Sequence, residues 1–228
     1  IGQLVQYSGK WNATGPSASN ADKHKLNKLK NGEVGSMLNI TSVASIRETQ
    51  KMVMDHSRLK IPLIFGYDVI HGYKTIFPIP LGESASWDLK VIKKTAEIAA
   101  KEAAASGLNW TFAPMLDVSR DARWGRIMEG AGEDTYLNTV IGVARVQGFQ
   151  GTDLSKTYTI AACAKHFAGY GFGEAGRDYN TVNVGENELH NAILPPFKAA
   201  AQAGVATFMN SFNEIDGVPA TGSHMLQR

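Results

Sequence analysis

The sequence predicts an α/β fold built on a parallel sheet. Three observations carry this prediction. Short apolar runs alternate with longer segments of helical periodicity along the 228 residues. One of those runs, Pro62 to Gly66 (PLIFG), is continuously apolar, as a strand covered on both faces is. Polar residues concentrate just after several of the runs, where parallel βα folds hold their ligands.

The elements follow in order. Gly35 to Ile40 (GSMLNI) reads as a strand. Val43 to Leu59 reads as a helix, with Ser45 and Glu48 spaced as a capping box near its start. PLIFG is the next strand. Asp88 to Ser106 is the clearest helix: Leu89, Ile92, Ala96, Ala99 and Ala103 recur at spacings of three and four, and Gly107 stands where a C-cap belongs. Thr111 to Val118 (TFAPMLDV) reads as a strand. Asp134 suits the N-cap of a helix whose Leu137, Val140, Ile141 and Ala144 share one face. Thr159 to Phe167 is a strand, Asn187 to Ala203 a helix kinked or broken at Pro195-Pro196, and Val205 to Phe212 a last strand. Asn12 to Asn20, rich in Gly, Pro and Ser, reads as a loop.

This alternation fits either a barrel or an open doubly wound sheet. A (β/α)8 barrel takes about 250 residues, so the chain is slightly short for one. It starts abruptly at Ile1-Gly2-Gln3-Leu4 and stops at Leu226-Gln227-Arg228 without closing punctuation, so both ends are expected to be truncated.

Composition removes several function classes. Lys plus Arg is 23 and Asp plus Glu 21, a net charge of +2 that gives no reason to expect nucleic acid or a polybasic membrane contact. No apolar run approaches the ~18 residues of a membrane span. The longest candidate, Ile98 to Ala105, is cut by Lys101 and Glu102. Cys163 stands alone, which excludes an internal disulfide and a multi-cysteine metal site. No phosphate-binding loop, serine nucleophile elbow or His-rich metal pattern is present. Gly169-Tyr170-Gly171-Phe172-Gly173 is Gly-rich, but no helix follows it; it reads as a loop needing positive φ.

Four loops carry the candidate chemistry. In Gly66 to Gly72 (GYDVIHG), Asp68 is placed to accept hydrogen bonds from ligand hydroxyls; capping the next turn, with His71 packed beneath, is an equal alternative. Asp117 to Asp134 mixes arginines and acids, which reads mostly as an ion-pair network ordering a long loop; Arg126 is the member that suits a ligand. Lys165-His166-Phe167 ends a strand. There a bend would bring both polar side chains to one pocket; otherwise His166 is a core residue and Lys165 extends outward. Met209-Asn210-Ser211-Phe212-Asn213 offers Met209 and Phe212 as apolar walls or as core. Glu174, Arg177 and Asp178 have the right residue types for catalysis, but their spacing equally fits a solvated face.

Taken as an ordered set, GYDVIHG, FPIPLG, FAPMLDVSRDARWGRIMEGAGED, AKHFAGYG and MNSFNEIDGVPATGSHML resemble glycoside hydrolase family 3, and within it the periplasmic β-glucosidases of Gram-negative bacteria. The resemblance spans nearly the whole chain. It implies a (β/α)8 TIM-barrel-like domain, incomplete in this chain, at residues 1–228, with the family's C-terminal α/β sandwich domain absent. It implies retaining hydrolysis of terminal β-glucosyl residues from β-glucosides or short β-linked gluco-oligosaccharides, with no cofactor and no metal, in a periplasmic or secreted protein. By matching motif positions, Asp68, Arg126, Lys165, His166 and Met209 would bind the sugar of the first subsite.

The resemblance also implies what is missing. The family nucleophile is an Asp in a Ser-Asp-Trp segment downstream of the motif that stands here as Gly222-Ser223-His224-Met225-Leu226. It is therefore expected beyond Arg228, as is the acid/base Glu of a second domain. The family's hexosaminidase branch carries Asp-Ser-His where this chain has Asp178-Tyr179-Asn180, which favours a glucosidase. Many members have Tyr at the position of Phe212, so a hydroxyl near the nucleophile is lost. Two other readings stand beside this one: a Schiff-base lyase using Lys165, and a non-catalytic sugar-binding fragment.

Overall fold

The computed structural model describes residues 2–9 and 20–228. In chain order the principal elements are β1 (Gln6–Ser8), α1 (Asn20–Lys30), β2 (Ser36–Leu38), α2 (Val43–His56), β3 (Ile64–Tyr67), α3 (Pro80–Ser84), α4 (Leu89–Ala105), β4 (Trp110–Thr111), α5 (Thr135–Gln150), β5 (Cys163–Phe167), α6 (Glu186–Glu188), α7 (Pro195–Gln202), β6 (Thr207–Asn210), β7 (Glu214–Ile215), β8 (Val218–Pro219) and α8 (His224–Gln227). The order is an α/β fold with parallel sheet, as the alternation predicts. Most of the segment expected to be a loop, up to residue 19, lies outside the described residues; Asn20 already opens α1. That helix is not evident in the sequence because it is largely polar, and among its side chains from Lys23 onward only Leu29 is fully buried.

Two compact units make up the chain. The first is Ile1–Tyr67 with Ala103–Trp110. It carries the sheet order β1-β2-β3-β4. β1, β2 and β3 run parallel, with Gln6 opposite Ser36 and Ser36 opposite Ile64. Helices make the crossovers: α1 between β1 and β2, α2 between β2 and β3. Parallel neighbours require such connections, because no tight turn can join them. Leu29, Val34, Met37, Val53 and Phe65 are buried here. Ser42, not Ser45, caps α2: its side chain accepts from the Ser45 N–H, so Ser45 lies inside the helix and the expected capping box does not form. β3 is less enclosed than a doubly covered strand, since Ile64 is 48% exposed.

The second unit is Asp68–Glu102 with Thr111–Arg228. Its strands β5 and β6 are parallel, with Cys163 opposite Thr207 and Lys165 opposite Met209. The predicted strand 111–118 is regular only at its start. The rest still runs beside β5: Cys163 N–H donates to the Ala113 carbonyl (2.9 Å), Lys165 N–H to Pro114 (3.1 Å) and Leu116 N–H to Lys165 (2.6 Å). Pro114 has no N–H to return, so a continuous ladder cannot form.

The helices follow the predicted spans closely. α4 buries Ile92, Ala96, Ala99 and Ala103, while Leu89 is partly exposed. α5 is capped by Asp134, whose carboxylate accepts from Leu137 N–H at 2.6 Å. α5 lies tight on α4 at Gly148, where a Cβ would come within 2.6 Å of the Lys93 carbonyl. Its last residue, Gln150, accepts from the Ala162 and Ala206 amides at 3.1 and 2.9 Å, tying together the segments that lead into β5 and β6. The predicted break in the 187–203 helix is real: α6 passes through one π turn, Leu189–Ile193, and α7 restarts at Pro195. Among the described residues no helix is long and apolar enough to cross a membrane.

Candidate active site

The site forms in the second unit, where four loops meet at the carboxyl ends of strands. Asp68 stands first after β3. The residue after it donates its amide to Thr111 Oγ1 at 3.1 Å, and the carbonyl of Ile70 accepts from the Arg145 guanidinium. Two backbone anchors thus hold the turn while leaving the Asp68 side chain 52% exposed. His71 belongs to the turn itself: its Nδ1 lies 2.9 Å from the Phe77 carbonyl, and Phe77 N–H donates back to the His71 carbonyl.

Lys165 does not extend outward. Its side chain is 3% exposed, and Nζ lies 3.2 Å from Asp68 Oδ1 and 3.7 Å from Glu129 Oε2. An ammonium this enclosed needs carboxylate partners, because water no longer solvates it. Glu129 also takes a bidentate pair of hydrogen bonds from Arg126, at 2.6 and 2.9 Å. Burial pulls the Glu129 carboxyl upward. The Arg126 hydrogen bonds and the positive charges of Lys165 and Arg126 outweigh it, and Glu129 titrates below the usual carboxylate range. For Arg126 burial acts downward, yet Glu129 raises its pKa above the ordinary value. The result is a chain of alternating charge: Asp68, Lys165, Glu129, Arg126.

His166 reaches the same area from the other direction. Its backbone N–H and ring Nδ1 both meet Asp117 Oδ2, at 3.0 and 2.8 Å. A carboxylate partner makes Nδ1 the protonated nitrogen and leaves Nε2 to face away from Asp117. The ring is 1% exposed and packs edge-on to Tyr170, centroids 5.0 Å apart. Tyr170 in turn lies under the Arg126 guanidinium, 5.6 Å from centroid to carbon, and against Trp124 at 5.2 Å. Trp124 Nε1 donates to Asp178 at 2.9 Å. Burial pushes the Tyr170 phenol up, and the Asp178 carboxylate adds to this. Met209, half-buried, occupies the β6 position opposite Lys165.

Sequence reasoning named Asp68, Arg126 and Lys165, and the structure brings these three into one ionic cluster. His166 adjoins it through the aromatic group, and Met209 through strand register. The loop-network reading of 117–134 is also right in part: Arg123 pairs with Asp121 at 2.6 Å and Arg120 with Glu188. What it missed is that Glu129 and Asp117 are the carboxylates that set Arg126, Lys165 and His166. The three-residue step from Arg126 to Glu129 was the available signal. Glu174 faces Asn183 at 2.5 Å and takes no part in the cluster. Among the described residues, no group of three or more His, Cys, Asp and Glu side chains could hold a metal ion.

Fold and cluster together define a parallel α/β domain with a polar, charge-rich site at its strand ends. The chain belongs to glycosyl hydrolase family 3: the model of that family's N-terminal domain matches residues 1–227. A periplasmic β-glucosidase of Salmonella typhimurium is 46% identical over 198 residues, 87% of this chain and 26% of the relative. A β-xylosidase of Formosa agariphila is 36% identical over 178 residues, 72% of this chain and 24% of the relative. Crystal structures of a β-glucosidase from Listeria innocua superpose closely. Its complex with glucose has a TM-score of 0.87 at 43% identity, covering 96% of this chain and 32% of that one. A mutant of it bound to laminaribiose gives a TM-score of 0.90 and covers the whole of this chain. The chain thus spans about a quarter to a third of the length of these relatives.

Proposed function

We propose that this domain supplies the sugar-binding half of the active site of a retaining β-glucosidase, as part of a longer enzyme. The observation that carries the proposal is the graded burial of the ionic cluster. Lys165 is enclosed at 3% exposure, while its partner Asp68 is 52% exposed and offers accepting oxygens outward. A closed structural ion pair would have both ends enclosed.

A pyranose suits such a site. Each hydroxyl donates one hydrogen bond and accepts others. Asp68 and His166 Nε2 accept from sugar hydroxyls, while Lys165 and Arg126 donate to them. Charge-assisted bonds of this kind are roughly twice as strong as neutral ones. Met209 walls the pocket opposite Lys165. A sugar lacking a contacting hydroxyl would cover Asp68 without supplying the donor that replaces its water, which gives the site its discrimination. Bonds that tighten as the ring flattens toward an oxocarbenium ion act on rate as well as affinity. In this reading the enzyme is periplasmic or secreted and needs no cofactor.

The nucleophile and the acid/base carboxylate lie outside these 228 residues in this proposal. Retention requires two carboxylates about 5–5.5 Å apart flanking the scissile bond. Here Glu129 and Asp117 already serve Arg126 and His166. The Schiff-base alternative fares worse: such a lysine is activated in apolar or cation-rich surroundings, and Lys165 stands between two carboxylates.

Turnover of phenyl β-glucoside by the full-length enzyme tests the reading. Asp68→Ala is expected to lower kcat/KM by about a hundredfold or more with the fold retained. Near-normal turnover by that variant refutes the role of Asp68. Turnover by residues 1–228 alone refutes the placement of the nucleophile.

A further inference from the structure

Asp68 is aimed from outside the ionic cluster. Among the described residues its side chain forms one ion pair, with Lys165 at 3.2 Å, and is 52% exposed. That distance exceeds the ~2.7–2.9 Å usual for an ammonium–carboxylate hydrogen bond. A carboxylate held this loosely takes its direction from its backbone. Beside it, Val69 N–H donates to Thr111 Oγ1 at 3.1 Å. Val69 and Thr111 are both 0% exposed, so water cannot replace the hydroxyl there. The Thr111 N–H donates in turn to the Ala161 carbonyl at 2.9 Å, four positions before Lys165. One residue of β4 thus touches both the turn that carries Asp68 and the segment leading into the strand that carries Lys165. Its hydroxyl calls for a reason. A wholly buried strand position suits Val, which has the same shape, and a hydroxyl there is costly unless bonded.

We propose that Thr111 is a positioning residue for sugar recognition. Through its hydroxyl on Val69 and its amide on Ala161, it sets where the Asp68 carboxylate stands relative to the Lys165 ammonium. This rests on the β-glucosidase reading above and deepens it. The two charges take hydroxyls of one pyranose, so their spacing decides whether both bonds form at once. The loose ion pair between them does not fix that spacing; the buried hydrogen bonds of Thr111 do. Without the hydroxyl, the Val69 amide has no acceptor and the turn shifts. The Arg145 guanidinium still holds the Ile70 carbonyl, so the turn stays folded with Asp68 misaimed.

The test is a double-mutant cycle between Thr111 and Asp68, read as kcat/KM for phenyl β-glucoside in the full-length enzyme. Thr111→Val should lower it about tenfold when Asp68 is present. In an Asp68→Ala background, where no carboxylate is left to aim, the same change should cost less than about twofold. Thr111→Ser keeps the acceptor and should stay within about threefold of wild type. Thr111→Cys has nearly the shape of Ser but a weak acceptor, so it should follow Thr111→Val, and the cycle can be run on either. An equal loss in both backgrounds overturns the positioning role, because Thr111 then acts on the fold as a whole. A Thr111→Ser variant as impaired as Thr111→Val overturns it too, since the methyl group is then what matters. Wild-type kcat/KM in Thr111→Val overturns it while the β-glucosidase reading stands. Full activity in Asp68→Ala removes the sugar-binding role of Asp68 and this inference with it.

Discussion

Two arginine–glutamate pairs in the second unit have the same chemistry and opposite settings. Arg145 and Glu83 are 5% and 6% exposed and meet at 2.7 Å; the guanidinium also holds the Ile70 carbonyl. Arg126 and Glu129 are 22% and 21% exposed, and their network continues through Lys165 to the half-exposed Asp68. Burial drives the Arg145 pKa down against the pull of Glu83, whereas Glu129 raises that of Arg126. The first network is closed on every side and serves the fold. The second is open at one end, at the half-exposed Asp68, where the proposed function places the sugar. Residue type does not separate the two; the exposure of the terminal carboxylate does.

The comparison breaks most visibly at Arg145. Arg145→Met leaves Glu83 as a buried, unpaired charge, so unfolding free energy should fall by about 3–5 kcal/mol. Denaturant titration measures it. The turn carrying Asp68 also loses its Ile70 anchor, so activity should weaken with stability. A loss below about 1 kcal/mol would mean that this pair is not the closed network described.

Glu129 sharpens the contrast with a smaller effect. Its pKa is depressed in the folded state, so its contribution is present above the ordinary Glu value, about 4.3. It is lost as pH falls through the lower folded value. Glu129→Gln should therefore be less stable than wild type near neutrality, by about 1 kcal/mol after solvent screening. The difference should shrink as pH falls below that ordinary value and vanish once pH is below the lower folded value. A gap independent of pH would show that packing, not charge, is what Glu129 supplies.

Much of the framework was legible because its signals are local. The spacing in α4, the Asp134 cap and the Pro195-Pro196 break each depend on residues within a few positions of one another. The Asp68, Arg126 and Lys165 assignments rested on strand-end placement and family motifs, and the three proved to be one cluster. Less legible was anything set by distant partners. Glu129 looked like a loop acid until Lys165, thirty-six positions later, was found beside it. Asp117 likewise takes its meaning from His166. The strand expected over 111–118 has the right apolar pattern, but Pro114 breaks its ladder. Ser42 displaced Ser45 as the cap of α2 because the chain enters the helix one turn earlier than the capping-box spacing implies.

The central claim is that the open end of the Asp68–Lys165–Glu129–Arg126 network binds a terminal glucose. Calorimetric titration of glucose into the full-length enzyme and its Asp68→Ala variant tests it most directly, with the unfolding transition measured alongside. The account predicts a loss of affinity of about tenfold or more, from charge-assisted bonds worth roughly 1.5–3 kcal/mol each, and a stability change below about 1 kcal/mol. Equal affinity in the two proteins, or a variant that binds normally but unfolds several kcal/mol more easily, would place Asp68 with the closed network and contradict the claim.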